Sequence, residues 1–143
     1  DRVHFTVFIS TKQGLPEIYR IAHLFITTSE IETQGLVLLE AAASGLPIVA
    51  VRATCIPEIV HDGVNGFLAD PGDVQGLSQG MNILLQNSDK AAQMGKASLT
   101  LAQQHDNRFT IEAHERLYHQ LIEQGKAIIP KLKDDRHPVR ESV

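Results

Sequence analysis

An α/β fold, a parallel sheet with helices against its faces, is what this sequence predicts, and three observations carry the prediction. Leu24 to Thr28 is a β-prone run that passes straight into polar residues, as a buried strand does where its loop begins. From Leu36 the stretch LVLLEAAAS is apolar and Ala-rich, opened by Gly35 and closed by Gly45 and Pro47, the punctuation of a helix. Ile48 to Val51 is again β-prone. Strand, helix and strand at this spacing make one right-handed βαβ unit.

The remaining elements follow the same alternation. Val3 to Ile9 reads as a first strand. Pro16 suits the first turn of a short helix, Pro16 to Ala22, with Ile18, Ile21 and Ala22 facing the sheet. Beyond the central unit, Ile56 to Val60 reads as a short helix begun near Pro57 and Glu58. His61 to Gly66 is a turn string, and Phe67 to Ala69 a short strand. Asp70 to Asp73 gives a turn and a helix cap, followed by a stripe of Leu77, Met81, Leu84 and Leu85. Gly76 and Gly80 each weaken that helix by about 1 kcal/mol relative to Ala, so it is expected to lean on tertiary packing. Asp89 is read as the cap of a helix reaching about Gln104, and Thr110 to Glu123 as a last helix carrying Ile111, Leu117, Tyr118, Leu121 and Ile122. Residues 1–125 are thereby read as one partial domain. The string from 126 to 143 mixes charges with two prolines and no sustained period, and is expected to be an exposed, flexible tail.

Composition narrows the function classes. With 143 residues, 43% hydrophobic and 21% charged, the chain has the material for one folded domain rather than a disordered segment. A net charge of -4 argues against a broad nucleic-acid-binding face. The single cysteine, Cys55, rules out an internal disulfide framework and fits a reducing compartment, which predicts a cytoplasmic protein. No apolar run approaches the roughly 20 residues of a spanning helix. Because the sequence starts inside a strand-like VHFTVFI, it is expected to be part of a longer chain. The 7 histidines show no paired metal-ligand spacing, and no P-loop, Cys-x-x-Cys or Gly-x-Ser-x-Gly string occurs, which disfavours kinase-like, redox and hydrolase chemistry.

The candidate site lies at the start of the central helix. In βαβ units ligands collect beyond the carboxyl ends of the strands, where N–H groups at a helix start attract anions and nearby carboxylates accept bonds from hydroxyls. Glu32 and Glu40 frame that helix start. An unpaired Glu40 within an apolar helix would be costly, so it needs partners.

The stretches SEIETQGLVLLEAAASGLPIVA and IPEIVHDGVNGFLADPGD resemble the carboxy-terminal, nucleotide-sugar-binding domain of GT-B glycosyltransferases of family 4, a group of retaining enzymes, from about Val3 to about Gln124. The resemblance implies a Rossmann-like parallel sheet and a nucleotide-diphosphate sugar as substrate, with no metal and no cofactor. It implies that Glu40 accepts hydrogen bonds from the ribose hydroxyls, and that Glu32 is catalytic, facing the donor sugar and the charge developing at its anomeric carbon. Thr33, Gln34, Gly35 and Leu36 would present backbone N–H groups to sugar and diphosphate, and Ile9 would pack against the base. The terminal helix resembles one that crosses back to the partner domain. The implied partners are that missing amino-terminal domain and the donor; the basic pair that neutralises the diphosphate belongs to an upstream stretch, so these residues alone are expected to be inactive.

Three departures from the family pattern stand out. Its usual Glu-Gly-Phe-Gly run is Glu32, Thr33, Gln34, Gly35, similar to members that glycosylate glycerolipids or related membrane lipids, which implies a lipid acceptor and a peripheral place at the membrane. The usual double glycine before Ile-Pro-Glu is Thr54 and Cys55, and the usual glycine in the first strand is Val7. For Cys55, a small buried residue is the better reading than a reactive thiol. Two alternatives stay open: another GT-B enzyme, such as a nucleotide-sugar epimerase or glycogen-type synthase, and a nucleotide-sugar-binding module without turnover.

Overall fold

The computed structural model describes residues 3–6, 9 and 14–134, those from 126 onward by backbone alone. Its organising element is the strand β2 (Ile48–Val51), in which every residue is buried. Alternate side chains of a strand point to opposite faces, and here both faces are covered. Ile48 and Ala50 pack with Leu38, Ala41 and Ala42 of helix α2 (Leu36–Ala43) and with Ile56 and Ile59 of α3 (Ile56–Ile59). Val49 and Val51 pack with Leu77 and Leu84 of α4 (Val74–Gln86) and with Met94 of α5 (Ser88–Gln103). Each of the Leu, Ile, Val and Met side chains contributes about 1.5–3 kcal/mol by leaving water. β1 (Phe25–Thr27) and β3 (Gly66–Ala69) flank β2 in a three-stranded parallel sheet of order β1-β2-β3. α1 (Leu15–Ile21) precedes β1.

The chain divides into two compact units, Asp1–His105 and Asp106–Val143. The second contains α6 (Asn107–Asp134), capped where Asp106 accepts from the Arg108 N–H at 2.9 Å.

Helix α5 crosses the amino ends of the sheet. The Ser98 hydroxyl donates to the carbonyl of Asn65, just before β3, at 3.3 Å. A Cβ on Gly95 would collide with the carbonyl oxygen of Gly45, just before β2, so only glycine allows α5 this close. Gly95→Ala is therefore expected to lower stability by about 1–3 kcal/mol, the scale of overpacking, although alanine favours an isolated helix. Denaturant unfolding checks it, and a stabilised variant would contradict the packing. With α5 across the amino ends, the loops at the carboxyl ends of β1 and β2 are left to carry the site.

Several expectations need correction. Residues 3–6 and Ile9 form no strand, and 7–8 lie outside the described residues, so the predicted first strand is not seen. β-prone residues without a pairing partner have nowhere to place their backbone hydrogen bonds. In α1 the phase is different: Tyr19 is buried, with Leu15 and Ala22 packed beside it, whereas Ile18 and Ile21 are exposed. Leu85 of the α4 stripe is also exposed. Gly80 agrees with a helix that leans on tertiary packing: it is buried where a Cβ would stand 3.0 Å from the Cβ of Phe67, so the missing side chain lets α4 approach the sheet. Asn87, not Asp89, caps α5, its side chain accepting from the Lys90 N–H at 2.9 Å. Of the expected tail, residues 126–134 continue the helical backbone of α6 to Asp134, and 135–143 lie outside the described residues.

Candidate functional site

Glu32 sits in the loop between β1 and α2 and turns its carboxylate back onto the chain that follows. Its Oε1 accepts from the N–H groups of Gly35 at 2.9 Å, Thr33 at 3.0 Å and Gln34 at 3.3 Å. Negative charge is thereby placed at the positive end of α2. Those bonds, from Gly35 and Gln34 first, hold the Glu32 carboxyl below the ordinary value of 4.5. Gly35 makes the turn with φ +67°, and a Cβ there would also strike the Ile59 side chain.

The backbone N–H groups therefore divide into two sets. Those of Thr33, Gln34 and Gly35, expected from the resemblance to face a ligand, are occupied by the Glu32 carboxylate. Those of Leu36 and Val37 make no hydrogen bond among the described residues, as the first turn of a helix leaves them. Both residues are exposed. Oε2 of Glu32 likewise has no hydrogen bond among the described residues.

Glu40 stands on the outer side of α2, more exposed than its apolar neighbours predict. Its partner comes from α1: the Tyr19 hydroxyl donates to Oε2 at 3.1 Å. Burial, then the bond to Glu40 and its charge, push the Tyr19 phenol up to about 12, so it stays a donor across the neutral range. The Tyr19 ring is fixed in the core, tilted 52° against Phe25 at 6.1 Å between centroids. Oε1 of Glu40 is left without a partner among the described residues. Leu15, Pro16, Tyr19, Glu40 and Ser44 line a cleft of about 150 Å³.

The loop after β2 completes the site. Thr54 and Cys55, facing Glu32, are contacts that sequence reasoning did not find. Arg52 is paired at 3.5 Å with each of Asp62 and Asp70. Tyr19 was also missed, although Leu15, Tyr19 and Ala22 at i, i+4 and i+7 spell the inner face of a helix. Ile9 is half-buried outside any strand. No three His, Cys, Asp or Glu side chains converge as a metal site among the described residues, and no helix there is long and apolar enough to cross a membrane.

Comparison with known proteins agrees with this architecture. A family model described as glycosyl transferases group 1 matches residues 1–100. The chain is 41% identical over 107 residues to a sulfoquinovosyl transferase of Arabidopsis thaliana, covering 71% of this chain and 21% of that protein. Among solved structures, Anabaena HepE in complex with UDP superposes with a TM-score of 0.66 at 31% identity, over 76% of this chain and 30% of the other. The carboxy-terminal domain of a group 1 glycosyl transferase from Francisella tularensis superposes with a TM-score of 0.63 at 29% identity, over 70% of this chain and 51% of that domain. The chain thus spans a minor part of the full-length proteins it matches.

Proposed function

The chain belongs to the glycosyl transferases group 1 family, GT-B family 4, as part of its carboxy-terminal domain, and from that premise we propose that it is the donor-binding part of a retaining glycosyltransferase that uses a nucleotide-diphosphate sugar. The observation that carries the reading is a shared arrangement of the two glutamates. Each has one carboxylate oxygen anchored by the protein, to three backbone N–H groups for Glu32 and to Tyr19 for Glu40, and one oxygen left to accept. An anchored carboxylate is pre-aimed, so little is lost in ordering it when a hydroxyl arrives.

Glu40 then takes the ribose hydroxyls, and the N–H groups of Leu36 and Val37 take a phosphate oxygen at the amino end of α2. Glu32 offers Oε2 to the donor sugar and, ionised, stabilises positive charge developing at the anomeric carbon. The dipole of α2 favours the departing diphosphate. In the complex with HepE the bound molecule is UDP, which supports this class of donor. Titration of the intact enzyme with uridine diphosphate and its 2′,3′-dideoxy form tests the reading. The dideoxy form is expected to bind about 10–100-fold more weakly, the loss of one or two hydrogen bonds to a charged group; equal affinity would contradict a ribose-binding Glu40.

The Glu32-Thr33-Gln34-Gly35 loop favours a diacylglycerol-type or polyprenyl-type lipid as acceptor. With 13 basic against 17 acidic residues, residues 1–143 are expected to leave anionic liposomes unbound while the intact enzyme sediments with them and glycosylates the lipid. An intact enzyme that uses only a soluble oligosaccharide would reject the lipid acceptor and leave the donor site standing.

A further inference from the structure

We propose that Thr54 and Cys55 form a clasp that fixes the peptide of Glu32, making Thr54 a positioning residue for the carboxylate at the donor site; the proposal rests on the role given to Glu32 above. Thr54 has φ +46° and is the one non-glycine residue with positive φ among the described residues. A β-branched side chain is strained in that region, where glycine would be at ease. The strained residue supplies what glycine lacks. The Thr54 hydroxyl accepts from the Glu32 N–H at 3.2 Å, and the next side chain, the Cys55 thiol, donates to the Glu32 carbonyl at 3.5 Å. Both backbone polar groups of Glu32 are thus held by consecutive side chains of another loop.

That loop is itself rigid. Ala53 donates to Val51 at 2.9 Å, and Ile56 donates to Ala53 at 3.0 Å, closing a tight turn around Thr54. Directly after Cys55, the buried Ile56 and Ile59 anchor α3 in the core, and Ile59 fills the space beside Gly35. The loops after β1 and β2 are locked together at the one residue whose carboxylate caps α2. Fixing both sides of the Glu32 peptide limits where its carboxylate can swing, and leaves Oε2 aimed at the donor.

The experiment compares Thr54→Gly, Thr54→Ser and Glu32→Gln in the intact enzyme, with Tm, kcat, donor KM and a ¹³C-carboxyl titration in which the Glu32 resonance is identified by its loss in Glu32→Gln. Thr54→Gly removes the hydroxyl and relieves the backbone. It is expected to keep or raise Tm, lower kcat about 10-fold with donor KM little changed, and move the Glu32 titration up toward that of an ordinary glutamate. Thr54→Ser restores both kcat and the titration. A Thr54→Gly enzyme with wild-type kcat and an unmoved Glu32 titration overturns the clasp. A kcat loss that tracks a fall in Tm and is not restored by serine also overturns it. Should Glu32→Gln itself retain full turnover, the catalytic role of Glu32 is what fails, and the titration in Thr54→Gly still decides the clasp.

Discussion

Glu40→Ala in the intact enzyme is expected to weaken nucleoside diphosphate binding about 100-fold and to abolish the preference for the ribose form over its dideoxy analogue. The magnitude follows from two hydroxyl bonds to a carboxylate at about 1.5 kcal/mol each. Glu40 is exposed, on the outer side of α2, so its truncation leaves no cavity, and its cost to stability is confined to the Tyr19 hydroxyl that loses its acceptor. Tyr19→Phe separates positioning from direct contact: it keeps the ring against Phe25 and removes only the donor to Oε2. A smaller loss, about 3–10-fold, is expected there, and only for the ribose form. Calorimetric titration of wild type and Tyr19→Phe, each with the ribose and the dideoxy form, gives the coupling directly. Wild-type affinity in Glu40→Ala would sink the ribose assignment.

Glu32→Gln is expected to reduce kcat by about 100-fold or more, the scale for removing one electrostatic group aimed at developing charge. The amide is a selective change. Its carbonyl oxygen can still accept from the N–H groups of Thr33, Gln34 and Gly35, so the cap on α2 survives while the negative charge is lost. Nucleotide affinity should therefore change little, and single-turnover kinetics should place the defect in the chemical step. Full turnover in this variant would reject Glu32 as the catalytic carboxylate.

The same bonds set a pH dependence. The folded-state carboxyl of Glu32 titrates below its unfolded value, so the stabilisation from its cap is fully present above about pH 4.5 and is lost as pH falls through the lower, folded value. A carboxyl resonance of Glu32 titrating at or above 4.5 would show that the cap does not hold in solution.

The sequence by itself determined the elements whose signals are local. Glycine and proline punctuation bounded α2, Ile48 to Val51 matched β2 residue for residue, and the Asp73 cap appears as read, accepting from the Gly76 N–H at 2.9 Å. These succeed because caps, turns and β-prone runs are decided within a few residues. It also marked Glu32 and Glu40, since a glutamate beside or within an apolar helix is conspicuous. What the two carboxylates touch was decided only by the tertiary structure. Tyr19 and Glu40 are 21 residues apart, and Glu32 and Thr54 are 22 apart, so no periodicity links them. The inner face of α1 was open to misreading because a short helix offers several apolar phases, and packing against Phe25 chose the one with Tyr19 inside. The occupation of the Thr33, Gln34 and Gly35 N–H groups by Glu32 was hidden too, because side-chain direction in a loop is set by its anchors. Those anchors are the buried Ile56 and Ile59, which fix the loop after β2 and, through Thr54 and Cys55, the place of Glu32.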